Sequence, residues 1–177
     1  PAGTLGGTGT LGQDARVSGT VAPGASVGTL TTTADLALEP GSSILWEIGD
    51  WTGAAGSGFD TIAAATITLD ATSAAPVTVV VTPDSLVNFD ESSASFTLGS
   101  TSGGITGFSG DKFVVDASAF PGSGTFTVSV SGNDLVLGYS AGTADPYAAW
   151  ETLNGIAGAG PDTDSDGDRV ENGIEFV

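Results

Sequence analysis

The sequence predicts an all-β protein, and three observations carry that expectation. Short alternations of apolar and polar residues, rich in Val, Ile, Thr and Phe, recur through the first 140 positions. Gly, Pro, Asn or Asp interrupts them about every ten residues. No window before Asp145 carries an apolar stripe with helical spacing.

Taken in order, the chain opens with Gly3 to Gly12, GTLGGTGTLG, an uncharged strand-like segment whose side chains are Thr4, Leu5, Thr8, Thr10 and Leu11. Val27 to Thr31, Leu36 to Leu38, Ser43 to Ile48, Thr66 to Leu69 and Val77 to Val81 then read as strands. Phe96 to Leu98 and Phe113 to Val115 follow. Phe126 to Val130 and Leu135 to Tyr139 flank Ser131-Gly132-Asn133-Asp134, which spells an antiparallel hairpin. The opening third is thin in side-chain volume and cannot fill a wide sandwich core. It suits the narrow stacked coils of a β-solenoid. The expectation is therefore a solenoid-like body closed by an antiparallel hairpin, with a jelly-roll-like β-sandwich as the alternative.

From Asp145 the pattern changes. Asp145-Pro146 is a helix start, with Asp as N-cap and Pro at the first helical position. Tyr147, Trp150 and Leu153 recur along one face, and Gly155 is placed to stop the helix. The two aromatic residues are expected to anchor it on the β body. The division is thus 1–142 as a β domain, with 1–14 a candidate donor strand, and 143–177 as helix, Gly/Ala linker and acidic tail.

Composition narrows function. The net charge of −18, with Arg16, Lys112 and Arg169 the only basic residues, excludes nucleic acid and anionic membrane surfaces as partners. Without Cys or His there is no disulfide, no thiolate nucleophile and no imidazole base. No run approaches the roughly 20 apolar residues of a membrane span. The chain also lacks Met and reads as the mature part of an exported protein, extracellular or at the cell surface after signal-peptide removal.

The tail carries the one motif with defined chemistry. Asp162, Asp164, Asp166 and Asp168 alternate with other residues, and such crowding is tolerated when a hard cation collects the oxygens. Counting the calcium loop from Asp162 puts Gly167 at the sixth position but leaves Gly173 at the twelfth, where a bidentate carboxylate is needed. Counting from Asp164 gives Asp164, Asp166, Asp168, the Val170 carbonyl, Asn172 through water and bidentate Glu175. The defect of this register is Arg169 in place of the turning glycine, a cost of about 1–2 kcal/mol. Losing two of about seven oxygens costs more, so the second register is preferred, with Ca²⁺ as the cofactor. Val170, Ile174 and Val177 add an apolar stripe to a short exit helix.

GTLGGTGTLG followed by VSGTVAPGASVGTLT (Val17 to Thr31) resembles the autotransporter-associated β-strand repeat of large secreted bacterial proteins. GGITGFSGDKFVVDASAF and GTFTVSVSGNDLVLGYS are similar to the terminal β segment of such proteins, and DSDGDRVENGIEF to their Asp-rich C-terminal tail. The resemblance implies an exported, repeat-built, non-catalytic surface protein.

Other residues are weaker candidates. Asp90-Glu91 and Asp111 with Asp116 are imaginable as an acid/base pair, but exposed loop carboxylates are the simpler reading. Lys112 then serves as a partner for a nearby Asp. Trp46 alternates with Ile44 and Ile48 and reads as core, which leaves Trp51 as the candidate glycan contact. The expected function is a non-catalytic extracellular structural protein. Its calcium-stabilised subunits join head to tail into a filament or matrix, Thr4 to Leu11 adding as a strand to the next copy. A carbohydrate-binding adhesin that takes extracellular polysaccharide is the alternative, and a polysaccharide-degrading enzyme the remote one.

Overall fold

In the computed structural model, residues 3–142, 146–156, 158–165, 167 and 169–175 are described. They divide into two compact units, Pro1–Ala141 and Gly142–Val177. The first is all-β. Its strands are β1 (Thr4–Gly7), β2 (Thr10–Leu11), β3 (Ala15–Val17), β4 (Thr20–Pro23), β5 (Thr29–Thr32) and β6 (Asp35–Leu38). Then come β7 (Ser43–Asp50), β8 (Thr61–Ala64), β9 (Thr66–Leu69), β10 (Val77–Val87), β11 (Ala94–Thr101) and β12 (Ile105–Thr106). The last three are β13 (Phe113–Asp116), β14 (Thr125–Ser131) and β15 (Asp134–Ser140).

The chain visits three sheets in rotation. One sheet has the order β1-β4-β7-β10-β13, the second β14-β15-β11-β8-β5-β2, and the third β12-β9-β6-β3. Among the described residues ten ladders are parallel and two antiparallel, the latter joining β15 to β11 and to β14. A jelly roll is built from antiparallel strands, so that alternative does not describe these ladders. The expected hairpin is present, with Gly132 at φ 60 in the first central position, where a type II′ turn takes glycine.

Alternation and register together make the core. In the first sheet Leu5, Val21, Ile44, Val79 and Val115 lie in one row across five strands. In the third sheet Leu36, Ile67 and Ile105 form a row, and Val17, Leu38 and Leu69 another. Most of these side chains are fully buried, each lying over its equivalent one strand spacing away. Apolar groups stacked this way bury one another with little volume per round, which is how so thin a sequence acquires a core.

Glycine makes the corners. Gly7 at φ 100 ends β1, so Thr4 to Leu11 is broken into two strands lying in different sheets. Gly24 turns at φ 82 where a Cβ would clash with the Ser26 carbonyl. Trp46 is completely buried, as expected, and donates its indole N–H to the Asp60 carbonyl at 2.7 Å.

Candidate calcium loop and strand edge

The first helix of the second unit is α1 (Pro146–Leu153). Asp145, its expected N-cap, lies outside the described residues. The helix ends as the sequence predicts: Gly155 takes φ 73 and the Ile156 N–H reaches back to the Glu151 carbonyl at 2.9 Å. The Tyr147 and Trp150 rings stack on each other, 5.7 Å apart and 27° from parallel. Glu151 is 6% exposed and accepts the N–H groups of Gly158 and Gly160 at 3.1 and 2.7 Å, which turns the linker back toward the helix. Burial and the Glu151 charge push the Tyr147 phenol above its ordinary range.

The acidic loop follows. Asp164 accepts the Gly167 N–H at 2.7 Å and the Arg169 N–H at 2.9 Å. Arg169 stands at φ 78, the left-handed turn the preferred register requires of its sixth residue. Gly167, sixth in the other register, also has a positive φ of 82, so the turn alone does not choose between them. Counted from Asp164, the sixth-position N–H returns to the first-position carboxylate. Asp166 and Asp168 lie outside the described residues. Among the described residues no three acidic side chains converge as a metal-binding group. Glu175 lies in the exit helix α2 (Asn172–Glu175).

Asn172, expected as a water-linked ligand, is fully buried, donates to the Gly160 carbonyl and Ser165 Oγ, and accepts the Ser165 N–H. It therefore holds the loop's two ends together. Of the expected apolar stripe, Val170 is half-buried and Ile174 is 66% exposed, while Val177 lies outside the described residues.

In the β unit the candidate donor strand is not free. Thr4 to Gly7 pairs with Thr20 to Pro23, and Thr10 and Leu11 with Thr31 and Thr32, within the same chain. Among the described residues no strand pairs with the outer edge of β1, β2 or β3. The Gly3 and Gly7 carbonyls accept bonds from Thr20 and Gly24, those of Gly9 and Leu11 from Thr31 and Thr33, and that of Val17 from Glu39. Along a parallel ladder alternate residues bond to opposite sides. The backbone groups of Thr4, Gly6, Thr10 and Arg16 consequently point away from the sheets. β1, β2 and β3 are the terminal strands of all three sheets, so this end is flush.

Trp51 is not a surface platform. It is 5% exposed and lies edge-on to Phe89, Phe96 and Tyr139, with centroids 4.8–5.1 Å away. Glu91 fastens the loops over this cluster, accepting the Tyr139 hydroxyl, the Ser123 N–H and the Gly124 N–H. Asp90 and Asp116 are taken up in local turns with Ser92 and Ser118, whose hydrogen bonds hold both carboxyls below their ordinary range. Lys112 donates to the Leu69 and Gly107 carbonyls rather than to a carboxylate. Arg16 forms the described ion pairs, at 2.6 Å to both Glu39 and Asp70.

One buried acid escaped the sequence reading. Asp60 is 1% exposed and accepts the Gly28 N–H at 2.7 Å and the Glu47 N–H at 3.0 Å. Burial, with Glu47 and Asp84 nearby, raises its carboxyl to about 7 against the pull of those two bonds. Nothing in the sequence distinguishes it from any other loop Asp. No family model matches this chain, and no curated protein matches it.

Proposed function

We propose that this is a non-catalytic, extracellular structural protein whose β unit is a β-solenoid and whose copies join by strand addition. Supporting it is the rotation of the chain through three sheets with mostly parallel ladders, in which β1, β2 and β3 are the outermost strands among the described residues. Natural sheets blunt exposed edges with charged residues, Pro or bulges, whereas β1 and β2 contain none of these and β3 only Arg16. The similarity of the opening segment and the tail to secreted bacterial repeat proteins supports export and a surface location.

Calcium is the proposed cofactor of the second unit, held by Asp164, Asp166, Asp168, the Val170 carbonyl and Glu175. The adhesin reading loses its candidate contact with the burial of Trp51. Electron microscopy and light scattering of the chain, with calcium and with chelator, test the proposal. Assemblies that shrink on chelation are expected, and a monomer under both conditions at high concentration contradicts it.

A further inference from the structure

We infer that Asn154-Gly155 is a site of covalent self-modification, where the Asn154 side-chain amide is lost as ammonia to give aspartate and isoaspartate. The inference concerns the second unit and does not depend on the structural role proposed above. Asparagine precedes glycine twice in the sequence, at Asn154-Gly155 and at Asn172-Gly173, and the fold leaves only the first pair free to react.

The reaction needs no partner but water. The Gly155 nitrogen gives up its proton to hydroxide and adds to Cγ of Asn154. The Cγ–Nδ2 bond then breaks, and Nδ2 takes a solvent proton and departs as ammonia, leaving a cyclic imide. One water molecule opens the imide. Attack at Cγ gives aspartate on the original backbone, whereas attack at the main-chain carbonyl routes the chain through the side chain as isoaspartate. Glycine favours the closure because no Cβ crowds its nitrogen.

Asn154 and Gly155 lie just past the end of α1, and both are exposed. Among the described residues the Asn154 side chain makes one hydrogen bond, from Nδ2 to the Trp150 carbonyl at 2.9 Å. The Gly155 N–H has no partner among those residues, and nothing lies within 4 Å of where a Cβ would stand. Breaking one exposed hydrogen bond therefore frees both reacting groups.

Asn172 is fixed instead. It is fully buried, its Nδ2 donates to the Gly160 carbonyl at 3.1 Å and to Ser165 Oγ at 2.9 Å, and its Oδ1 accepts the Ser165 N–H at 3.2 Å. The Gly173 N–H is taken up as well, by the Pro161 carbonyl at 2.8 Å. Attack there requires the loop to open first.

At Asn154 the product changes what the end of α1 can hold. A carboxylate replaces the Nδ2 donor and faces the Trp150 carbonyl. It adds one negative charge to a chain already at −18, at the C-terminal end of a helix, where the dipole is itself negative. In isoaspartate one more backbone carbon separates Leu153 from Gly155, which lengthens the turn that brings the Ile156 N–H to the Glu151 carbonyl. The end of α1 loosens, and with it the hold of Glu151 on Gly158 and Gly160.

Peptide mapping by mass spectrometry of the intact 177-residue chain, held in mildly alkaline buffer, tests this. Deamidation is expected at Asn154 at least about tenfold faster than at Asn172, rising with pH and yielding both acids. In denaturant the two sites should react alike, since only folding separates them. Asn154→Gln, which would have to close a larger ring, should stay unmodified at that position. Asn154→Asp, which carries the product charge, should show faster amide exchange at Ile156 than the parent, and unchanged exchange overturns the effect on α1. Native Asn154 reacting no faster than Asn172, or a rate ratio no larger in the native chain than in the unfolded one, overturns the inference. Neither result bears on assembly, so the structural role is tested separately.

Discussion

Oδ1 of Asp60 accepts the Gly28 N–H at 2.7 Å, so a carboxylate from the third round of the β unit is fastened to the corner of the second. The same side chain takes the Glu47 N–H, and its neighbour Thr61 donates its own N–H to the Gly28 carbonyl. A buried acid therefore holds a corner where glycine leaves backbone groups without a side chain to cover them.

This arrangement sets a pH dependence. The Asp60 carboxyl rises from 3.8 to about 7 on folding, so the folded chain binds the proton more tightly than the unfolded one. Stability from this group is full below about pH 4 and declines as pH rises to about 7. Asp60→Asn should flatten the melting temperature between those limits, though it costs stability overall by setting an amide nitrogen against one of the two N–H donors. Melting curves from pH 4 to 8 check both effects.

The aromatic cluster under Glu91 should behave as core. Trp51→Ala is expected to destabilise the β unit by about 3–5 kcal/mol through the cavity it leaves. A glycan array should show no binding that depends on Trp51. Denaturant titration and the array together check the reading, and Trp51-dependent glycan binding would restore the adhesin.

The tail makes two calcium predictions. Calorimetry with calcium on the intact chain should show one saturable site that Asp164→Ala abolishes. Arg169→Gly should tighten it, because Arg169 holds φ 78 at a cost of about 1–2 kcal/mol that glycine does not bear. Absence of heat at millimolar calcium would remove the metal from the account.

Asn172 should be needed for the loop without being a ligand. Asn172→Ala removes the bonds to the half-buried Gly160 carbonyl and to exposed Ser165, at about 0.5–1.5 kcal/mol for each hydrogen bond lost. The second unit should lose its dispersed amide resonances with or without calcium, while those of the β unit remain.

The strands were legible wherever large β-branched or aromatic residues alternate, as in Ser43 to Ile48 and Val77 to Val81. Thr61–Ala64 was missed, because its small side chains give no alternation in volume. The rotation through three sheets was hidden for a different reason. Thr4, Thr20, Ser43, Thr78 and Val114 share one row, so successive rounds advance by 16, 23, 35 and 36 residues. Corner loops of unequal length remove any period from the sequence even though the rows are regular in space. Trp51 misled because its neighbours Asp50 and Thr52 are polar, whereas the rings that bury it come from Phe89, Phe96, Phe120 and Tyr139, far along the chain. In the tail, the Asp spacing and the Gly155 stop were readable. The grip of Glu151 on the linker was not, since it depends on backbone N–H groups that carry no sequence signature.

The central claim is a wound β unit whose first round is formed but unpaired on its outer side. Residue-resolved amide hydrogen exchange on dilute, monomeric protein tests it most directly. Leu5, Gly7, Leu11 and Val17, bonded inward, should be protected, whereas Thr4, Gly6, Thr10 and Arg16 should exchange rapidly, an alternation that follows the ladder parity. Val21, Ile44 and Val79, bonded within the interior rounds, should be the slowest. Uniformly fast exchange from Thr4 to Val17 would mean that the first round does not form, and uniform protection would mean that the edge is already covered; either result contradicts the account.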